Sequence, residues 1–366
     1  MEPVYLDYNA SAPLRPEALA AMTQALGHTG NASSIHHFGR RARKFIEDAR
    51  AQVAALAGVR PLQIIFNGGG TEGNNTILSG FTDKRVLVGA TEHLSILEPC
   101  PQAERIPVTR DGVVDLAALE QLIASGAPPA LISVQLVNSE TGVIQPLADI
   151  AALAKRAGAM MHTDAVQAAG RIALDFAALG VDYMTLSAHK IGGPQGVGAI
   201  IFREGLQVPN FMKGGGQERR QRAGTENIAG IAGFGAAAFM AHKELDRRDA
   251  LAALRDKLER ALRAARNDIT IYGEGAPRVA NTANIGLAGV PAQTQLMAMD
   301  LAGVAVSSGS ACSSGSLKPS HVLLAMGADE EAAKSSLRFS LGWATTETDI
   351  DRAIAAWTEM AQRTTA

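Results

Sequence analysis

Lys190 follows the apolar run Tyr183-Met184-Thr185-Leu186, between Ser187, His189 and the turn Gly192-Gly193-Pro194. A strand that breaks into such a turn projects its last side chains at the carboxyl edge of a sheet, where open α/β sheets bind ligands. An amine that sheds its proton there is a Schiff-base nucleophile, and Ser187 and His189 can anchor an anionic group beside it. A solvated surface lysine is the competing reading, and only the neighbours decide. Asp164 ends the run Met160-Met161-His162-Thr163. Its carboxylate can hold a protonated ring nitrogen, with Gln167 on a ring substituent, or it can cap the next helix. His93, after Ala90-Thr91-Glu92, can stack on a planar ring, shuttle a proton, or be structural. The stretch Phe66-Asn67-Gly68-Gly69-Gly70-Thr71-Glu72 reads as strand, glycine loop and helix start. Free N–H groups and the Thr71 hydroxyl suit a phosphate there, although a tight turn with a cap has the same sequence signature. The loop is neither a Walker A motif nor a G-x-G-x-x-G fingerprint, which favours a small phosphorylated cofactor over a nucleotide.

Two further stretches add chemistry. Nine small residues surround Cys312 in Ser307-Ser308-Gly309-Ser310-Ala311-Cys312-Ser313-Ser314-Gly315-Ser316, with nothing apolar enough to bury the thiol. An exposed, mobile thiol is expected, a nucleophile that travels. Cys100, in Leu97-Glu98-Pro99-Cys100, has no such setting and reads as structural. Arg338 lies between apolar neighbours in Leu337-Arg338-Phe339. It needs a partner, either a substrate carboxylate held by two parallel bonds or an acidic residue of the chain. A phosphate loop, an aromatic face at His93, a counter-ion at Asp164 and an amine at Lys190 together describe pyridoxal 5′-phosphate.

The elements that must position these groups follow from the apolar pattern. Runs at Gln63–Phe66, Arg85–Ala90, Ile106–Val108, Ala130–Val137, Met160–Asp164, Tyr183–Ser187 and Val197–Phe202 read as buried strands. Helical patterns lie between some of them, at Asp115–Ala124 and Leu147–Ala157. Such alternation implies an α/β fold with a mainly parallel sheet covered on both faces. A long alanine-rich helix is expected from about Glu226 to Ala265, broken near His242, and beyond it short strands alternate with helices. The expected division is a large domain over 12–244, and a small α+β domain over 245–366 joined by 1–11 that carries the cysteine loop 307–320. The 366 residues carry a net charge of -2, which argues against electrostatic nucleic-acid binding. No apolar stretch is long enough to span a bilayer, the first residues have no secretory pattern, and two cysteines make no disulfide framework or metal cluster. A cytoplasmic protein without a bound metal is expected.

Nearly end to end, the sequence resembles the NifS/IscS-type cysteine desulfurases, in the class V aminotransferase group with the pyridoxal-phosphate fold type I. The resemblance is carried by Tyr5-Leu6-Asp7-Tyr8-Asn9-Ala10, Thr91-Glu92-His93, His162-Thr163-Asp164-Ala165, His189-Lys190 and Arg222-Ala223-Gly224-Thr225. It continues through the Cys312 loop, long and serine-rich as in the NifS/IscS branch, and Arg338-Phe339-Ser340-Leu341-Gly342. It implies a large domain with a seven-stranded sheet and a homodimer acting on L-cysteine. Lys190 would carry the cofactor and move the Cα proton, Asp164 pair with the ring nitrogen, and His93 stack on the ring and help proton transfer. Gly70, Thr71, Ser187 and His189 would hold the phosphate with Thr225 of the other subunit, and Gln167 the ring hydroxyl. Arg338 and Asn31 would meet the substrate, and Cys312 would take its sulfur as a persulfide for an acceptor protein, in iron–sulfur cluster assembly or thio-modification. In Val137-Asn138-Ser139-Glu140-Thr141-Gly142 the family's second asparagine is replaced by Ser139, leaving its cofactor contact to Asn138 or water. The sequence ends soon after Ala356-Trp357, short of the tail that IscS-type members use against their scaffold, so the acceptor stays open. A selenocysteine lyase or another class V enzyme is the alternative within catalysis, and a dimeric sulfur-transfer scaffold the alternative outside it.

Overall fold

The computed structural model describes residues 2–309 and 318–363. Its strands are β1 (Val4–Tyr5), β2 (Ile64–Asn67), β3 (Val86–Gly89), β4 (Glu104–Ile106), β5 (Leu131–Ser133) and β6 (Met160–Asp164). They continue as β7 (Tyr183–Ser187), β8 (Gly198–Phe202), β9 (Ile269–Ile271), β10 (Thr282–Leu287), β11 (Val304–Ala305) and β12 (Ser336–Ser340). The seven-stranded sheet has the order β2-β8-β7-β6-β5-β3-β4. Strands β4, β3, β5, β6 and β7 run parallel, and β8 is antiparallel to both β7 and β2. Every residue of β2, β3, β5, β7 and β8 is buried, as a sheet covered on both faces requires. His162 ties three strands together: its ring meets Ser133 Oγ at 2.9 Å and Thr185 Oγ1 at 3.1 Å. That neutral, buried imidazole, pushed down to about 3 by desolvation, serves the sheet.

The alanine-rich stretch forms the helix Ile228–Lys243, a 3-10 turn Leu245–Arg247, and the helix Arg248–Ala265, so the expected break falls at Glu244. The first helix is buried on most sides, which a sequence without charge before its last turn allows. A Cβ at Gly235 would meet Ala49 Cα at 2.5 Å, so this glycine is what lets the helix lie against His37–Ala57. Beyond it, β12-β10-β9 form an antiparallel sheet and β1 pairs with β11 in parallel. Val4, Leu6, Leu258, Ile285, Phe339 and Trp357 share an apolar cluster there, separate from the one under the large sheet. Strand β12 answers to no expected strand. Its burial comes from pairing with β10 and not from an alternating pattern.

Candidate active site

The carboxyl ends of the parallel strands gather the expected residues. Pairing of Asp164 with Thr185 across β6 and β7 sets the Asp164 carboxylate near Ser187, which closes β7. A cavity of about 270 Å³ lies over this edge, lined by Gly70, Thr71, His93, Ser139, Asp164, Gln167, Ser187, His189 and Lys190. Asn74, Ser95 and Gln135 also face it.

One end is a cradle. The helix Gly70–Ser79 starts at the cavity, and its first N–H groups have no acceptor within the helix. Gly69 holds φ +141, a conformation that side chains resist, and its N–H bonds Asn67 Oδ1 at 3.0 Å. A Cβ at Gly70 would lie 3.0 Å from Val166 Cγ2 and 3.7 Å from Ser187 Cβ, so a side chain there would fill the space between helix and strand. His189 Nδ1 meets Ser11 Oγ at 3.3 Å, and burial, helped by the charges of Lys190 and Arg171, pushes its imidazole down to about 4. A neutral imidazole, two hydroxyls and open amides make a receptor for a phosphate.

The other end is built around Asp164. Its two oxygens accept from Asn74 Nδ2 at 2.7 Å and Val166 N at 2.9 Å. Asn74 also donates to Ser95 Oγ at 2.8 Å, while its own Oδ1 has no partner. Ser95 N donates to His93 Nδ1 at 3.1 Å, so the neutral ring carries its proton on Nε2. Burial lowers the His93 pKa, reinforced by Lys190 and His321 and opposed by Asp164. His93, Ser95, Asn74 and Asp164 thus form one hydrogen-bonded wall. Asn74 was missed in the sequence because a polar residue inside a helix start gives no signal of its own.

Lys190 Nζ donates to the Asn9 carbonyl at 2.6 Å and the Ala10 carbonyl at 2.8 Å. Desolvation, then the charges of Arg171 and Arg338, bring the amine down to about 7 against the pull of Asp164 and Asp7. Half of such amines are unprotonated at neutral pH, as a nucleophile requires. The Asp164 carboxylate and the Gly70–Thr71 cradle lie in the same cavity as this amine, so the donor set fits pyridoxal phosphate.

Other expected residues stand elsewhere. Asn138 is not at the cavity wall. Its Oδ1 accepts from Glu140 N and Thr141 N, and its Nδ2 donates to Thr91 O, so its amide holds the turn that presents Ser139. Arg338 donates to Asp7 Oδ1 at 2.7 Å and Ser139 O at 3.1 Å, which is the acidic partner that the sequence left open; its buried Nε has no acceptor. Asn31 is exposed, with its Oδ1 accepting from Ser33 N, and Thr225 is exposed too; neither lines the cavity. Cys312 lies outside the described residues. The flank before it pairs with β12, Ser307 with Arg338. Both flanks meet Glu140: its Oε2 accepts from Ser320 Oγ at 2.5 Å, and a Cβ on Gly309 would fall 2.0 Å from it. Cys100 is buried, as expected.

The family description "aminotransferase class-V" matches residues 4–353. The cysteine desulfurase IscS of Dictyoglomus turgidum is 42% identical over 363 residues, covering 95% of this chain and 92% of that protein. An IscS-like cysteine desulfurase of Mycobacterium tuberculosis is 38% identical over 369 residues, covering 96% and 94%. The crystal structure of a NifS-like protein from Rickettsia africae superposes with a TM-score of 0.92 at 37% identity, covering 99% of this chain and all of that one.

Proposed function

We infer, for a chain that belongs to the aminotransferase class-V family, that it is a pyridoxal-phosphate-dependent cysteine desulfurase. The observation that carries this reading is Lys190, an amine held near neutrality in the cavity that also contains Asp164 and the Gly70–Thr71 cradle. Bound pyridoxal phosphate supplies the electron sink for bond breaking next to an amino group. Gly70, Thr71, Ser187 and His189 hold its phosphate, Asp164 its ring nitrogen, Gln167 its ring hydroxyl, and His93 stacks on its face. Ser139 lines the cavity beside them. Lys190 takes and returns the proton at the substrate Cα, with His93 Nε2 assisting. Arg338 is the cation for the substrate carboxylate in this reading; Asp7 and the Ser139 carbonyl hold its two Nη groups.

Cys312 is the sulfur acceptor in this reading. The Cβ–S bond of L-cysteine breaks, an S–S bond forms on Cys312, and the carbon that loses sulfur takes a proton, giving L-alanine and a Cys312 persulfide. A partner protein then takes the outer sulfur. The active unit is a dimer, in which Asn31 and Thr225 complete the cavity of the other copy. Their exposure, and that of Ile35 at 90% and Phe38 at 58%, supports this. The separate apolar clusters support a division into 12–244 and 245–366 with 1–11. Among the described residues no helix is long and apolar enough to cross a membrane. Borohydride reduction of the yellow protein, followed by peptide mapping, should place the pyridoxyl group on Lys190; a label on another lysine overturns the assignment.

A further inference from the structure

Arg171 forms no ion pair within 4.0 Å among the described residues, although it is half-buried, in a neighbouring pocket that shares Lys190 with the cavity. Its partners are both on Gln167: Nη1 donates to the Gln167 carbonyl at 2.6 Å and to its side-chain Oε1. Gln167 Nε2 in turn donates to the Asn9 carbonyl at 3.0 Å, the same oxygen that accepts from Lys190 Nζ. A side-chain amide has one accepting and one donating end, and nothing in its shape distinguishes them. An arginine can only donate, so its contact fixes Oε1 as the outer end and leaves the NH2 group as the inner one. The backbone enforces the contact. Gly170 turns the chain at φ +71 against the helix Ile228–Lys243, where a Cβ would meet Ala241 Cβ at 2.9 Å. That turn returns Arg171 to the residue four positions earlier.

We propose that Arg171 is a positioning residue that sets Gln167 as a hydrogen-bond donor toward the cavity, and so toward the ring oxygen of the cofactor. The proposal rests on the reading of the cavity as a pyridoxal-phosphate site. Without Arg171, only the Asn9 carbonyl still favours this orientation, and the carbonyl end of the amide competes more strongly for the inward position, where it repels an anionic ring oxygen. The charge of Arg171 also lies close enough to lower the proton affinity of Lys190 and His189, consistent with a guanidinium that has no acidic neighbour.

A double-mutant cycle on the holoenzyme separates this role from a general one. The equilibrium affinity for pyridoxal phosphate and the pH midpoint of its visible absorbance are measured for wild type, Arg171→Met, Gln167→Ala and the double variant. Arg171→Met is expected to weaken cofactor affinity about three- to tenfold, the scale of one net hydrogen bond. In the Gln167→Ala background the same change is expected to cost less than about twofold, since no amide remains to orient. Arg171→Lys, whose ammonium can donate to both acceptors from one nitrogen as Nη1 does, should recover part of the loss. Equal losses in both backgrounds, or no loss in either, overturn the proposal while the wild type remains coloured. A wild type that binds no pyridoxal phosphate overturns the cavity reading, and the proposal with it.

Discussion

Glu140 offers a sharp energetic test of the architecture around the cysteine flanks. Its side chain is 4% exposed, with one oxygen on Ser320 Oγ and the charge of Arg338 in reach. Burial raises its carboxyl from 4.5 to about 7, while Ser320 and Arg338 pull the other way. The folded protein therefore holds a proton on Glu140 that the unfolded chain releases between pH 4.5 and 7. Stability from this group is full below pH 4.5 and is lost as pH rises through 7. At about 1.4 kcal/mol per pH unit, the loss reaches roughly 3 kcal/mol by pH 8. Glu140→Gln keeps the shape and an oxygen that accepts from Ser320 but removes the ionisation. Urea unfolding of both proteins should give nearly equal stabilities at pH 5, with the variant ahead by about 2–3 kcal/mol at pH 8.5. The difference between the two curves isolates this group from every other titrating residue. Parallel curves across that range would refute the argument that burial decides its charge.

Two more substitutions probe the cavity. Asn74→Leu keeps the branched shape but strips Asp164 Oδ2 and Ser95 Oγ of their donor, and should lower stability by about 1.5–3 kcal/mol, read from thermal or urea unfolding. An unchanged midpoint would mean that Asn74 does not hold the aspartate. Gly70→Ala suits a helix start, so the melting temperature should hold, while a Cβ 3.0 Å from Val166 Cγ2 narrows the cradle. Loss of about one cradle contact, ~0.5–1.5 kcal/mol, corresponds to roughly two- to tenfold weaker phosphate-cofactor binding by equilibrium titration, and wild-type affinity would place the phosphate elsewhere.

What the sequence made legible was local. Strand ends at Asp164 and Ser187, the glycine loop before Gly70, and the turn after Lys190 each announce a position at the sheet edge within a few residues. What it hid depends on contacts between distant segments. Arg338 meets Asp7 across 331 positions, and only the pairing of β12 with β10 and its bridge to Asp7 bring them together. Glu140 reads as one more polar residue in a turn until the Ser320 and Gly309 flanks close over it. Asn138 and Ser139 are neighbours with opposite fates, because the turn spends the amide of the first on its own backbone and presents the second to the cavity. A contact four residues apart, Arg171 to Gln167, was hidden as well, since it needs the left-handed Gly170 to form.

The central claim is sulfur transfer from L-cysteine to Cys312, and mass spectrometry of the protein after brief exposure to L-cysteine tests it directly. The account predicts one added sulfur on the peptide containing Cys312, none on the buried Cys100, and L-alanine in solution. Cys312→Ala should keep the cofactor's colour yet form no alanine. Alanine released by that variant at the wild-type rate, or sulfur found on Cys100 instead, would contradict it.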